Sequence, residues 1–140
     1  MTAGPLAGGG IVVVGASLAG LRAAEELRTQ GFEGRLTVIG DEPHAPYDRP
    51  PLSKQVLSGA WPTERTALTV AADGGLDALE IDWRLGERAT GLDLRGRRVA
   101  LAGGERVGFD GLVVATGATP RELPGTEDLA GVHTLRTLDD

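Results

Sequence analysis

The sequence predicts an α/β fold in which a parallel sheet is accompanied by a small antiparallel meander. Residues 10–39 alternate strand, helix and strand, which is the pattern of a βαβ unit with two parallel strands. Residues 88–101 hold two short strand-like runs joined by Arg95-Gly96-Arg97, and such a join is typical of an antiparallel hairpin. These two patterns together indicate the fold class.

The βαβ unit is the strongest local pattern. Its first strand, 10–14, is a β-branched run beside glycines, which is typical of a strand that is buried on both faces. A helix is predicted over 18–30, because apolar residues recur there at three-residue steps, and Gly31 is a suitable stop. The second strand is predicted at 35–39.

The remaining elements are shorter. Residues 1–9 are expected to be a disordered leader, residues 41–51 form an irregular proline-rich segment, and the chain is expected to be irregular again after Pro120. Short helices are expected at 52–57 and 73–79, and short strands at 81–84, 88–94, 97–101 and 106–109. A third buried strand is predicted at 112–115.

Composition excludes several function classes. The 140 residues suit one domain, and a net charge of −6 argues against binding to nucleic acid or to an anionic membrane. The absence of cysteine excludes a disulfide scaffold, a thiolate nucleophile and a redox dithiol. We expect a cytoplasmic protein without a bound metal ion.

The glycine loop between the first strand and the helix is the most informative motif. Gly15 permits a tight turn, and Gly20 permits close packing of the helix on the strand. Ser17 replaces the middle glycine of the usual pattern and is still small. Because helix N-termini attract pyrophosphate, the loop predicts dinucleotide binding; the alternative is a tight turn without a ligand.

An acidic residue and a basic segment follow the second strand. Asp41 lies at the spacing from the loop that suits a carboxylate binding ribose hydroxyls, although it could also be a solvated loop acid. Prolines stiffen residues 46–54, which hold Arg49 and Lys54, the only lysine of the chain. From the residues alone this segment is a rigid basic loop, and the alternative is a surface connection.

Four motifs in this order resemble a known family. They are GASLAGLRAAEELR, VIGDEPHAPYDRPPLSK, LVVATGATPRELPG and GVHTLRTLDD. They look like the N-terminal part of the ferredoxin-, rubredoxin- and putidaredoxin-reductase type of FAD-dependent pyridine nucleotide oxidoreductases. The resemblance runs from Ile11 to Asp140 and implies a Rossmann-like, three-layer FAD-binding domain that is incomplete relative to the family.

The resemblance also implies a set of FAD-binding residues. The glycine loop would line the pyrophosphate, Asp41 would bind the adenosine ribose, and Lys54 would stand near the flavin N5 edge as the catalytic residue. The implied cofactor-binding residues are Gly15, Ser17, Ala19, Gly20, Asp41, Arg49, Lys54, Ala89, Ala115, Thr116, Gly117 and Arg136.

The implied activity is hydride transfer from NADH to FAD, followed by electron transfer to an iron–sulfur ferredoxin or a rubredoxin-like acceptor that serves an oxygenase or P450. The absence of cysteine agrees with this branch, because disulfide reductases of the superfamily carry a redox dithiol. Residues 10–140 would be the N-terminal segment of the FAD/NAD(P)-binding domain. The NADH domain and the C-terminal interface domain would be absent, so the fragment is not expected to be active alone.

Two alternatives stay open at this point. The chain could be a non-catalytic nucleotide-binding remnant or one piece of a split gene. It could also be a stand-alone NAD-dependent Rossmann dehydrogenase, which would need a catalytic tyrosine with a lysine four residues later or an equivalent proton relay. Against that, the only tyrosine, Tyr47, has Pro51 at the lysine position.

Overall fold

A computed structural model describes residues 10–140, so the disordered leader expected at 1–9 lies outside the described residues. The one α-helix of this range, α1, spans Leu18–Thr29. The strands are β1 (Ile11–Val14), β2 (Leu36–Gly40), β3 (Ile81–Leu85), β4 (Ala89–Asp93), β5 (Arg98–Leu101), β6 (Arg106–Gly108) and β7 (Gly111–Val114). They form a parallel sheet of order β3-β2-β1-β7 and an antiparallel sheet of order β4-β5-β6.

The core lies on both faces of the parallel sheet. Successive side chains of a strand point to opposite faces, so every residue of β1 is buried only if both faces are covered. The α1 face contains Ile11, Val13, Ala24, Leu36 and Val38. The meander face contains Val12, Val14, Ile39, Val99, Leu101 and Val107. The predicted three-layer α/β fold is therefore confirmed.

The βαβ unit forms as predicted. Ile11 pairs with Leu36 and the two strands run parallel, with α1 between them in the chain. The helix ends at Thr29, close to the predicted end, and Gly31 follows with a φ of +84°. That left-handed conformation suits glycine and stops the helix.

The positions of β3 and β7 in the parallel sheet were not predicted from the sequence. The strand predicted at 81–84 is a fourth parallel strand, β3, which pairs with β2, a partner that the sequence alone did not assign. The strand predicted as buried at 112–115 lies at the sheet edge, where Val114 is 66% exposed. The prediction of burial was wrong for β7, because an apolar run does not show whether one or two neighbours flank a strand.

The short helical segments are tighter or wider turns than an α-helix. Leu52–Val56 is a π-helical turn in which the Val56 N–H donates to the Pro51 carbonyl at 3.0 Å. Gly75–Leu79 is a 3₁₀ turn, and a further 3₁₀ turn at Thr63–Thr66 was not predicted. Within residues 10–140, no helix combines the length and apolar character that a membrane span needs.

Candidate nucleotide-binding site

A cavity of about 800 Å³ opens at the carboxyl ends of β1, β2 and β7. Open α/β sheets bind ligands at this end of their strands, where loops diverge from the sheet. The walls come from segments that are far apart in the chain. The lining residues are 14–19, 39–42, 44, 47–50, 87–89, 115–119 and 136.

The glycine loop forms the floor of this cavity and is packed against backbone on two sides. Gly15 has a φ of +121°, and a Cβ there would lie 2.0 Å from the Ala115 carbonyl oxygen. A Cβ on Gly20 would lie 1.8 Å from the Gly15 carbonyl oxygen. Only glycine fits at either position, so the turn and the close helix approach both depend on these two residues.

The N-terminus of α1 faces the cavity with its amides uncapped by side chains. Ser17 is the N-cap residue, and its hydroxyl makes no capping hydrogen bond. The first turn carries no acidic residue. The first-turn N–H groups and the positive end of the helix dipole are therefore available to an anionic ligand.

Glu42, Tyr47 and Arg49 form a closed hydrogen-bonded triangle in the cavity wall. One carboxylate oxygen of Glu42 accepts a hydrogen bond from Arg49 Nη2 at 2.5 Å, and the other accepts a hydrogen bond from the Tyr47 hydroxyl. Arg49 Nη1 donates in turn to the Tyr47 hydroxyl oxygen at 3.0 Å. The triangle holds the guanidinium group of Arg49 in one orientation.

The same triangle binds the last residues of the chain. Arg49 Nη1 also donates to the Arg136 carbonyl at 2.8 Å, and the Leu138 N–H donates to the Tyr47 hydroxyl at 3.2 Å. The Asp140 carboxylate accepts the N–H groups of Arg136 and Thr137, each at 2.7 Å. These bonds fold residues 136–140 into a turn against the cavity wall.

Tyr47 is buried, and this changes its acidity. Burial, followed by the hydrogen bond to the Glu42 carboxylate, raises the pKa of Tyr47 to about 12. An unfolded tyrosine has a pKa of about 10, so the folded state holds this proton more tightly. The raised pKa therefore contributes to the free energy of unfolding in full below pH 10, and this contribution is lost as the pH rises toward 12.

We therefore expect Tyr47 to ionise near pH 12 in the folded protein and near pH 10 in urea. The chain has a single tyrosine, so the ultraviolet absorbance of the phenolate reports this residue alone. The unfolded chain is the control for the ordinary pKa. Identical midpoints in the folded and unfolded protein would contradict the buried triangle.

The cavity wall retains hydrogen-bond donors for a ligand. Arg49 Nε is buried and has no hydrogen-bond partner among residues 10–140. A Cβ placed on Gly117 would lie 3.4 Å from Arg136 Nη2. A second guanidinium group therefore borders the cavity. The orphaned donor and the uncapped helix amides fit a ligand that carries negatively charged and hydrogen-bond accepting groups.

Most of the predicted site residues meet at this cavity. Those that line it are Gly15, Ser17, Ala19, Asp41, Arg49, Ala89, Ala115, Thr116, Gly117 and Arg136. Gly20 lies beneath the loop and is buried. Lys54 lies outside the lining, and its ammonium group donates to the Pro50 carbonyl at 3.2 Å. The binding role of each residue stays a prediction.

Asp41 and Arg88 form an ion pair at the rim of the cavity. The Asp41 carboxylate accepts a bond from Arg88 Nη1 at 3.0 Å, and both side chains are more than half exposed. Arg88 directly precedes Ala89, the first residue of β4, and both residues line the cavity together with Asp41. Among residues 10–140, no group of three acidic or histidine side chains is placed to hold a metal ion.

Sequence reasoning missed Glu42, Tyr47 and Gly40 as parts of the site. A Cβ on Gly40 would lie 2.5 Å from the Ala16 Cβ, so this glycine lets the glycine loop cross the end of β2. The available signal was local: Glu42 directly follows Asp41, and the only tyrosine lies between the prolines beside Arg49.

A sequence model of the pyridine nucleotide-disulphide oxidoreductase family matches residues 9–140. The chain belongs to this family. It is 44% identical over 131 residues to the ferredoxin–NAD(+) reductase component of the biphenyl dioxygenase system of Paraburkholderia xenovorans. It is 41% identical over 128 residues to rhodocoxin reductase of Rhodococcus erythropolis. These alignments cover 93% and 91% of the chain but 31% and 30% of the relatives.

Solved structures show the same relation to this oxidoreductase family. The reductase–putidaredoxin covalent complex matches with a TM-score of 0.80 at 33% identity, over 94% of this chain and 32% of that one. A ferredoxin reductase from Rhodopseudomonas palustris matches with a TM-score of 0.81 at 34% identity, over 93% and 32%. The chain therefore spans about a third of the length of the relatives it matches.

Proposed function

We propose that this chain is the FAD-binding part of an NADH-dependent ferredoxin reductase. The observation that carries the proposal is the uncapped N-terminus of α1 behind the glycine loop, facing a cavity large enough for a nucleotide. Residues 10–140 correspond in this proposal to the N-terminal segment of a FAD/NAD(P)-binding domain. The similarity to ferredoxin reductase components supports it.

The residues of the chain divide the binding task. Gly15, Ser17 and Ala19 present the loop and first-turn amides to the pyrophosphate, whose negative charge suits the helix dipole. Asp41 offers carboxylate oxygens to the ribose hydroxyls, and Arg88 holds this carboxylate at the rim. Gly20 shapes the loop without touching the cofactor.

The far end of the cavity would hold the flavin. Arg49 contributes a positive charge to the cavity wall there, and Arg136 adds a second one. Ala115, Thr116 and Gly117 leave the β7 end without a bulky side chain, so the backbone can approach the cofactor. The proposed adenine contact is the backbone of Ala89.

The proposed catalytic role of Lys54 requires movement. Its ammonium group is bound to the Pro50 carbonyl, outside the cavity lining, and the residue is exposed. Rotation of this flexible four-carbon side chain would bring the charge toward the cavity. In the proposed role Lys54 then steadies negative charge on the reduced cofactor.

Bound FAD supplies the chemistry of accepting hydride from NADH and releasing single electrons to an iron–sulfur protein. The proposed partner is a ferredoxin or a rubredoxin-like acceptor, and the proposed location is the cytoplasm. One of the matched structures is a covalent complex of putidaredoxin reductase with putidaredoxin, which supports a partner of this kind. The complete reaction belongs to proteins about three times as long.

A stand-alone dehydrogenase is less compatible with the site. An enzyme of the tyrosine–lysine type needs a tyrosine hydroxyl that reaches the substrate. The Tyr47 hydroxyl donates to Glu42 and accepts from Arg49 and Leu138, so its hydrogen bonds are all used within the protein.

We expect Ala19→Asp to weaken FAD binding by about tenfold or more, because a carboxylate in the first turn repels the pyrophosphate and opposes the helix dipole. Ala60→Asp is the matched control, since Ala60 is exposed and outside the cavity lining. The measurement is quenching of flavin fluorescence during titration of FAD with each purified 140-residue protein.

The titration separates the possible outcomes. Binding to the unaltered protein and to Ala60→Asp, with loss in Ala19→Asp, supports the site. Equal affinities in the two variants would contradict the assignment of the pyrophosphate to the helix terminus. A chain that binds no FAD at all contradicts the proposed function of this chain.

A further inference from the structure

The Tyr47 hydroxyl is the point at which three parts of the cavity wall meet. It donates to Glu42, and it accepts one bond from Arg49 Nη1 and one from the Leu138 N–H. A phenol has one proton to donate and two lone pairs to accept with. Every hydrogen bond that this hydroxyl can make is therefore used to hold other groups in place.

The backbone fixes the phenol itself. Tyr47 is 5% exposed and pairs with Ala67 in an isolated antiparallel bridge. The flanking Asp48 N–H donates to the Thr66 carbonyl at 2.8 Å, and the Leu68 N–H donates to the Pro46 carbonyl at 3.0 Å. The ring is thus anchored by a segment that does not line the cavity.

Arg49 depends on this anchor for its orientation. A free arginine side chain samples many rotamers, and a guanidinium group is useful at a site only when its plane is fixed. Glu42 and Tyr47 fix that plane from two sides, and the buried Nε remains without a partner among residues 10–140. Arg49 is therefore held at the cavity wall as a fixed positive charge.

The same hydroxyl ties the second guanidinium group to the first. Arg49 Nη1 holds the Arg136 carbonyl, and Tyr47 holds the Leu138 N–H. The Arg136 side chain borders the cavity beside Gly117. Loss of the phenolic oxygen would loosen both arginines from the wall at once.

We propose that Tyr47 is a positioning residue that, together with Glu42, orients Arg49 in the proposed flavin site and docks residues 136–138 beside it. This inference rests on the proposed function. Tyr47 acts through Arg49 and through the docked segment, and it does not contact the ligand through its hydroxyl, whose bonds are all used.

The test compares Tyr47→Phe with Thr66→Val in the 140-residue protein. Both changes remove a buried hydroxyl from the same part of the fold, but the Thr66 hydroxyl donates to the Thr63 carbonyl, away from Arg49. The measurements are FAD affinity, the absorption bands of bound FAD at saturation, and hydrogen exchange of the Leu138 amide without FAD.

We expect Tyr47→Phe to weaken FAD binding by about tenfold, because hydrogen bonds to a charged group are lost. It should also shift the bound-flavin bands and speed Leu138 exchange. Thr66→Val should bind FAD within about twofold of the unaltered protein, with unshifted bands, although it also loses a buried hydrogen bond.

Equal affinities and unshifted bands in Tyr47→Phe would overturn the inference while leaving FAD binding intact. Equal losses in both variants would also overturn it, since the effect would then be general destabilisation. If the unaltered protein binds no FAD, the proposed function fails and the inference falls with it. Leu138 exchange then still reports whether the hydroxyl docks the segment.

Discussion

Gly20→Ala is expected to lower the free energy of unfolding by about 3 kcal/mol or more. The added methyl group would lie 1.8 Å from the Gly15 carbonyl oxygen. That carbonyl cannot retreat freely, because the Gly15 N–H is bonded to the Ile39 carbonyl at 2.8 Å and Ala115 presses on the other side. Urea denaturation followed by circular dichroism measures the loss.

Gly103→Ala is the matched control for this change. No atom lies within 4 Å of the position that its Cβ would take, and its backbone is not left-handed. We expect a change within about 0.5 kcal/mol there. If Gly20→Ala were as mild as Gly103→Ala, the close approach of α1 to the glycine loop would be wrong.

Arg28→Met is expected to lower the free energy of unfolding by about 2–3 kcal/mol. The guanidinium group of Arg28, in the last turn of α1, donates to four backbone carbonyls. The acceptors are Leu79 at 2.8 Å, Phe32 at 2.6 Å, Gly34 at 2.9 Å and Glu80 at 3.0 Å. Methionine keeps the apolar stem but leaves these carbonyls to find other partners.

Arg22→Met is the control, on the same helix. Its guanidinium group makes an exposed pair with Glu25 at 2.7 Å and one bond to the Thr69 carbonyl at 3.0 Å. Exposed pairs contribute about 1 kcal/mol or less, so the loss should be smaller. Equal losses in the two variants, measured by the same urea denaturation, would show that Arg28 does not join α1 to the segment before β3.

The sequence predicts the parts of the fold that depend on neighbours in the chain. β1, α1 and β2 have local periodicity, and the glycine loop lies between two of them, so their order implies their arrangement. The positions of β3 and β7 depend on pairing across the sheet. An apolar run carries no information on which strand it pairs with, so the edge position of β7 had to come from the structure.

The candidate site divides in the same way. The predicted lining residues follow strand ends, and strand ends of a parallel sheet share one edge. The contact of Tyr47 with Leu138 joins positions 91 residues apart in the chain. The residues around either position do not predict such a bond. The side-chain direction of Lys54 is set locally, because its ammonium group donates to the Pro50 carbonyl four residues earlier.

The close approach of Gly15 to the Ala115 carbonyl has a consequence for the order in which this chain folds during synthesis. The glycine loop is synthesised early, but the backbone that presses it into shape arrives only with β7, and the docked turn at 136–140 comes later still. Contacts between distant segments close slowly, because chain entropy must be lost first. A nascent chain therefore carries the glycine loop long before it carries the walls of the cavity, and the proposed ligand site can form only after β7 has been made.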